Sequence, residues 1–177
     1  MVKTQVIDNC IPLKQQKLII SKMITGGYFP WYYITDVTYG NKSLPKQNRP
    51  ACSHRFIHDK KDQSEMADFI ASVFSSFFSK PNIISSRSLL QFPLNEKLIN
   101  SKYDTPHIDL DVPHRVYLYY VINADGPTFL FKNSKIIKKV SPKQGRLLIF
   151  DGSIRHAAEQ PKKGIRCIIN FDVIKNV

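Results

Sequence analysis

From Arg115 onward the chain alternates short apolar or aromatic runs with turn sequences, and few folds accommodate that rhythm. "RVYLYYVI" (115–122), "TFLF" (128–131), "SKIIKKV", "RLLIF" and "RCIINFDV" are separated by "NADG", "SPKQG" and "DGS". The runs are rich in β-branched and aromatic residues, as strands are, and "NADG" reads as the turn of a hairpin. Short strands at about ten-residue spacing argue for an antiparallel sandwich or barrel rather than a parallel βαβ sheet. The predicted class is mainly β (α+β), a jelly-roll core with one or more helices packed outside it from the N-terminal half.

One such helix is predicted at about 62–79. Asp62 and Glu65 suggest a capping box, and Met66, Phe69, Ile70, Val73, Phe74 and Phe77 follow at helical spacing. Pro81 would stop it. The aromatic stripe is expected to pack on a sheet. The preceding polar stretch 39–61, broken by Pro45 and Pro50, reads as a loop and a candidate flap over a site.

With 177 residues and 42% hydrophobic content, the chain is expected to form a single domain (1–177) able to bury its own core. Residues 1–82 would form an N-terminal extension and 83–177 the β core. Cys10, Cys52 and Cys167 make no CxxC pair and suit a reducing compartment. No signal-like start or membrane-length apolar run is evident, so a soluble, intracellular protein with no membrane partner is expected. The +12 charge could serve an anionic partner such as nucleic acid, or only solubility.

The stretch "YDTPHIDLDVPHR" (103–115) holds His107 and Asp109, which would leave the same side of an extended backbone. His156 follows a later strand, and in a rolled sheet such strand ends can converge. Two histidines and one carboxylate on one side of a metal leave open positions, the arrangement of non-haem Fe(II) oxygenases. A closed zinc site would need a fourth ligand, for which His114 and Asp111 are local candidates. Arg166, ten residues beyond His156, would begin a new strand and could hold a carboxylate bidentately or form a structural ion pair. Leu118 and Tyr120 would share one strand face, Tyr117 and Tyr119 the other.

The run "HID…YLYYVINADGPTFLFKN…VSPKQGRLLIFDGSIRHAAEQPKKGIRCIINFDV" resembles the double-stranded β-helix, or cupin-like, core of 2-oxoglutarate and Fe(II)-dependent oxygenases. It is most similar to their prolyl-hydroxylase-like branch and to small bacteriophage-encoded members. "FPWYY" (29–33) and "SHRFIHD" (53–59) extend the likeness, while Ile122 stands where the family pattern has Asn. The resemblance implies Fe(II) held by His107, Asp109 and His156. It implies that Arg166 grips the distal carboxylate of 2-oxoglutarate, with Tyr120 donating to the same group. Thr128, Asn170 and Leu118 would wall the co-substrate site, with Gln91 a further polar neighbour. O2 and 2-oxoglutarate would become succinate and CO2 as a substrate C–H bond is hydroxylated.

The expected substrate is a protein or peptide side chain, with prolyl the first choice by branch likeness. Rival readings are a nucleic-acid or free amino-acid oxygenase of the same fold, and a non-enzymatic jelly-roll binding module. His54 and His58 are candidate substrate contacts. If phage-encoded, the protein would act in the host cytoplasm.

Overall fold

The computed structural model describes residues 4–38, 49–95 and 101–175. The elements are β1 (Gln5–Ile7), α1 (Leu13–Ile20), β2 (Tyr32–Ile34), β3 (Ala51–His58), β4 (Lys61–Asp62), α2 (Ala67–Val73) and β5 (Ile83–Gln91). Then come β6 (His114–Tyr120), β7 (Thr128–Lys132), β8 (Lys135–Val140), β9 (Arg146–Asp151), β10 (Arg155–Ala158) and β11 (Arg166–Ile174). The large sheet runs β1-β9-β6-β11-β5-β3-β2, with β4 paired to β3, and the small one runs β10-β7-β8. All described pairings are antiparallel.

Alternation along β6 and β11 gives the large sheet two apolar faces. The outer face carries Tyr117, Tyr119, Ile169, Phe171 and Val173 and packs against Ile19, Met23, Ile70, Phe74 and Phe78. Phe74 meets Tyr119 edge-on with ring centroids 4.9 Å apart, and Phe78 meets Tyr117 likewise at 5.0 Å. Such contacts add about 0.5–1.5 kcal/mol per pair beyond simple burial. The inner face, with Val116, Leu118, Tyr120, Leu148 and Ile168, packs against Leu130 and Val140 of the small sheet. The expected division of Leu118 and Tyr120 from Tyr117 and Tyr119 is therefore what the two cores require.

Several expectations are corrected. β6 and β7 do not form a hairpin; they lie in different sheets. The "NADG" segment instead binds the turn before β11: the Asp125 carboxylate accepts the backbone N–H groups of Lys162 and Lys163 at 2.9 and 3.2 Å. The tight hairpin is β7–β8, turned by Asn133 and Ser134, both with positive φ (48° and 61°) as a type I′ turn demands.

The helix expected at 62–79 is confined to Ala67–Val73. Asp62 pairs in β4, and its carboxylate accepts from Lys80 Nζ at 2.6 Å rather than capping the helix. Ser64 Oγ accepts the Met66 N–H at 3.1 Å.

Within the stretch read as a loop, Ala51–His58 is β3, while 39–48 lies outside the described residues. Its buried His54, Phe56 and Ile57 are interleaved with polar residues, which is why it reads as loop. α1 and β5 are further elements the sequence reading did not pick out. Among the described residues no helix is long and apolar enough to cross a membrane.

Candidate metal centre and anion pocket

His107 lies opposite His156 in an isolated antiparallel bridge, each backbone N–H donating to the other's carbonyl, at 3.0 and 2.9 Å. The segment carrying His107 thus runs beside β10 at the edge of the small sheet. Tyr103 makes a second bridge with Glu159. Asp109, two residues on, reaches the inner face of the large sheet.

The ligand atoms of His107, Asp109 and His156 all lie within 4.8 Å of one another. His107 Nε2 is 3.6 Å from Asp109 Oδ1 and His156 Nε2 is 3.5 Å from Oδ2. His107 Nδ1 lies 2.9 Å from the Thr105 carbonyl, which fixes the proton on Nδ1 in the neutral ring and turns the Nε2 lone pair toward the cluster. Asn170 Nδ2 donates to Asp109 Oδ2 at 3.2 Å, and Arg87 stands 3.7 Å from Oδ1.

Burial drives the His156 imidazole down to about 4, so it stays neutral and able to ligate at neutral pH. Burial pulls His107 down too, but its hydrogen bond and attraction to Asp109 outweigh this and leave its pKa above the ordinary value. Burial would raise Asp109, but its attraction to the two imidazoles in their protonated forms, with the His107 hydrogen bond, holds it below the usual carboxylate range. A cation would take over that role and displace the His107 proton.

His114 and Asp111 are not part of this cluster. His114 Nδ1 lies 2.7 Å from the Val112 carbonyl, and Nε2 faces Asp172 at 3.7 Å. Its ring fills the space above Gly152, where any Cβ would overlap it. Burial, then the nearby Asp109 charge, raises Asp172 well above the usual range.

Arg166, only 2% exposed, points into the same cavity. Its Nε donates to the Gly126 carbonyl at 2.9 Å, one terminal nitrogen to Gln91 Oε1 at 2.6 Å and the other to Thr128 Oγ1 at 2.9 Å. Five guanidinium N–H groups less these three leave one on each terminal nitrogen. Among the described residues no carboxylate forms an ion pair with it. Tyr120 donates its phenol to Thr128 Oγ1 at 2.8 Å. Thr128 thus accepts twice and keeps its own proton to give.

Leu118 and Asn170 line the cavity, and the Asn170 amide serves Asp109. Tyr120 sits behind Thr128, outside the lining. His54 and His58 are apart from the cavity. Both His54 ring nitrogens are engaged, by the Pro30 carbonyl at 2.9 Å and Ser64 Oγ at 2.8 Å.

Sequence reasoning missed Arg87 and the buried pair of Arg49 and Asp104, whose closest atoms lie 3.4 Å apart. Burial lifts Asp104 to about 6 in spite of Arg49. The signal for Arg87 was its even spacing from Leu89 and Gln91 along one strand, all three facing the cavity.

No family model matches the sequence, and no curated protein is similar to it. Solved structures do match. A 2OG-Fe(II) oxygenase-family oxidoreductase from Burkholderia pseudomallei aligns at TM-score 0.71 and 9% identity, over 96% of this chain and 84% of that one. The viral collagen prolyl hydroxylase of Paramecium Bursaria Chlorella virus-1 aligns at 0.60 and 18%, over 96% and 94%. A prolyl hydroxylase from Trichoplax adhaerens, in complex with a hypoxia inducible factor peptide fragment, aligns at 0.64 and 15%, over 96% and 83%. The chain has the jelly-roll fold of 2OG-Fe(II) oxygenases, prolyl hydroxylases among them. The bacteriophage likeness read from the motifs finds no support in these structures.

Proposed function

We propose that the protein is a 2-oxoglutarate- and Fe(II)-dependent oxygenase that hydroxylates a side chain of a protein or peptide. The observation carrying this reading is that a buried arginine, in ion-pair contact with no carboxylate among the described residues, shares one cavity with a two-histidine, one-carboxylate cluster. A buried cation offset only by the more distant Asp104 is costly, and an anionic occupant with paired oxygens relieves that cost. The cluster's donor set suits Fe(II) with positions left open.

His107, Asp109 and His156 would hold the iron. When bound, it would supply the oxidation that joins decarboxylation of 2-oxoglutarate to hydroxylation of the substrate. Arg166 would receive the distal carboxylate of 2-oxoglutarate on its two remaining N–H groups. The Thr128 hydroxyl would add a third donor, with its acceptor sites filled by Arg166 and Tyr120. Leu89, Leu118 and Ile168 would wall the carbon chain and exclude water. Asn170 holds Asp109 by one oxygen and so sets the carboxylate's orientation.

The peptide substrate class rests on the fold's likeness to the viral collagen prolyl hydroxylase and to the peptide-bound Trichoplax enzyme. The test is an anaerobic titration in which 2-oxoglutarate binding requires Fe(II), followed by succinate release on admitting O2. Binding of 2-oxoglutarate that is indifferent to Fe(II), with no succinate formed, would overturn the reading and favour a binding module.

A further inference from the structure

The antiparallel register lines up one row of inner-face residues across five strands: Leu148, Leu118, Asn170, Arg87 and Arg55. Leu148 and Leu118 lie beneath the small sheet, and Asn170 and Arg87 flank Asp109. Beyond Arg87 the row ends at Arg55, which is exposed. The metal cluster therefore sits at the boundary between the covered and the open part of this face.

Arg55 and Arg87 are directly cross-strand partners, which sets their Cβ atoms roughly 5 Å apart. Like charges in that position oppose each other. Arg87 stands 3.7 Å from Asp109, a carboxylate already shared by two histidines, and also feels the more distant, buried Asp172. Among the described residues no hydrogen bond or ion pair holds Arg55. Two guanidinium groups thus stand together beside the cluster, and among the described residues the outer one, Arg55, has no acidic partner.

Resting on the oxygenase reading, we propose that Arg55 and Arg87 form an anion-binding subsite for the substrate, which is a peptide bearing an acidic side chain near the residue that is oxidised. An arginine pair can take one carboxylate through parallel N–H groups and so orient the chain at the metal cluster. A nucleic acid would call for a continuing basic track. Of the two neighbouring inner-face rows, one runs through Leu89 and Ser53 to Tyr32, which is 63% exposed, without a charged residue. The other runs from Asp172 through Ser85 and His58 to Lys61, mixing an acidic with basic residues, so no continuing basic track forms. A single acidic group beside apolar and aromatic surface fits better than a phosphate chain.

The test presents the full-length protein, under anaerobic conditions, with a random peptide library of five variable residues on either side of a fixed proline. Bound peptides are then sequenced. The expected result is enrichment of Asp and Glu, about tenfold, at one fixed position relative to the proline. In Arg55→Glu that position should turn to Lys and Arg, whereas Lys139→Glu on β8 should leave the preference as it was.

Acidic enrichment spread over all positions, or none, overturns the proposal. So does failure to retain peptides, or tight binding of a single-stranded oligonucleotide that Arg55→Gln weakens while peptide binding stays the same. Binding is read without turnover, so loss of the acidic preference with intact succinate formation would sink the subsite alone. Absence of any 2-oxoglutarate turnover would sink the reading beneath it.

Discussion

His107 and His156 exchange both backbone hydrogen bonds across one antiparallel bridge, so their positions are set by main chain and not by the side chains. His107→Ala and Asp109→Ala should therefore fold while losing ligands. We expect both to retain the wild-type circular dichroism spectrum and to lose Fe(II)-dependent succinate formation. Full turnover by either variant would refute the assignment.

Asn170 is the clearest positioning residue for the cluster, because its amide donates to Asp109 Oδ2 and lies 3.3 Å from Asp172 Oδ1. Asn170→Ala should weaken metal binding by about 10–100-fold, the usual effect of removing a group that orients a ligand. Direct titration with Fe(II) or Mn(II) measures this without relying on catalysis.

Gly126 is required where it stands. A Cβ there would overlap the Glu159 carbonyl and come within 3.3 Å of Arg166 Cδ, while the Gly126 carbonyl itself receives Arg166 Nε. Gly126→Ala should displace the guanidinium, raising the KM for 2-oxoglutarate more than it lowers kcat, and should lower the melting temperature. An unchanged KM would show that Arg166 is not the co-substrate's anchor.

At the other end of the large sheet, Asp8 ties the residues after β1 to β9. Arg146 Nε meets Oδ1 at 2.7 Å and Lys143 Nζ meets Oδ2 at 3.1 Å. Hydrogen bonds from Arg146 and Lys143 hold this carboxyl down at about 2, below the 3.8 of a free aspartate. A lowered carboxyl pKa stabilises the fold above the unfolded value and ceases to do so as pH falls through the folded one. The difference in melting temperature between wild type and Asp8→Asn should be steady above pH about 5 and close as pH falls to about 2. A difference independent of pH would show that this ion pair does not contribute.

The cluster was legible because strand periodicity and turns place His107, Asp109, His156 and Arg166 at strand ends that a rolled sheet brings together. Asn170 followed by counting two repeats along the strand from Arg166, whereas Thr128 came only with the family resemblance. Arg87 and β5 were not legible: "SSRSLL" looks polar because Ser86 and Ser88 are buried small residues between paired strands. β3 was hidden for a related reason, since Ser53 and Arg55 lie on the sheet's uncovered inner face. The apparent capping box failed because Asp62 had a stronger partner in Lys80, which also meets Asp68 at 2.7 Å. The "NADG" turn resembled a hairpin locally, yet its carboxylate is used by residues 162 and 163, far along the chain.

Asp109 touches Asn170 on the large sheet while its neighbour His107 is bridged to β10 of the small one. One carboxylate thus acts as the clasp at the mouth of the roll. Filling the cluster with a divalent ion should tighten that clasp, slowing amide hydrogen exchange in β10 and in residues 105–109 and leaving the aromatic layer under α2 as it was.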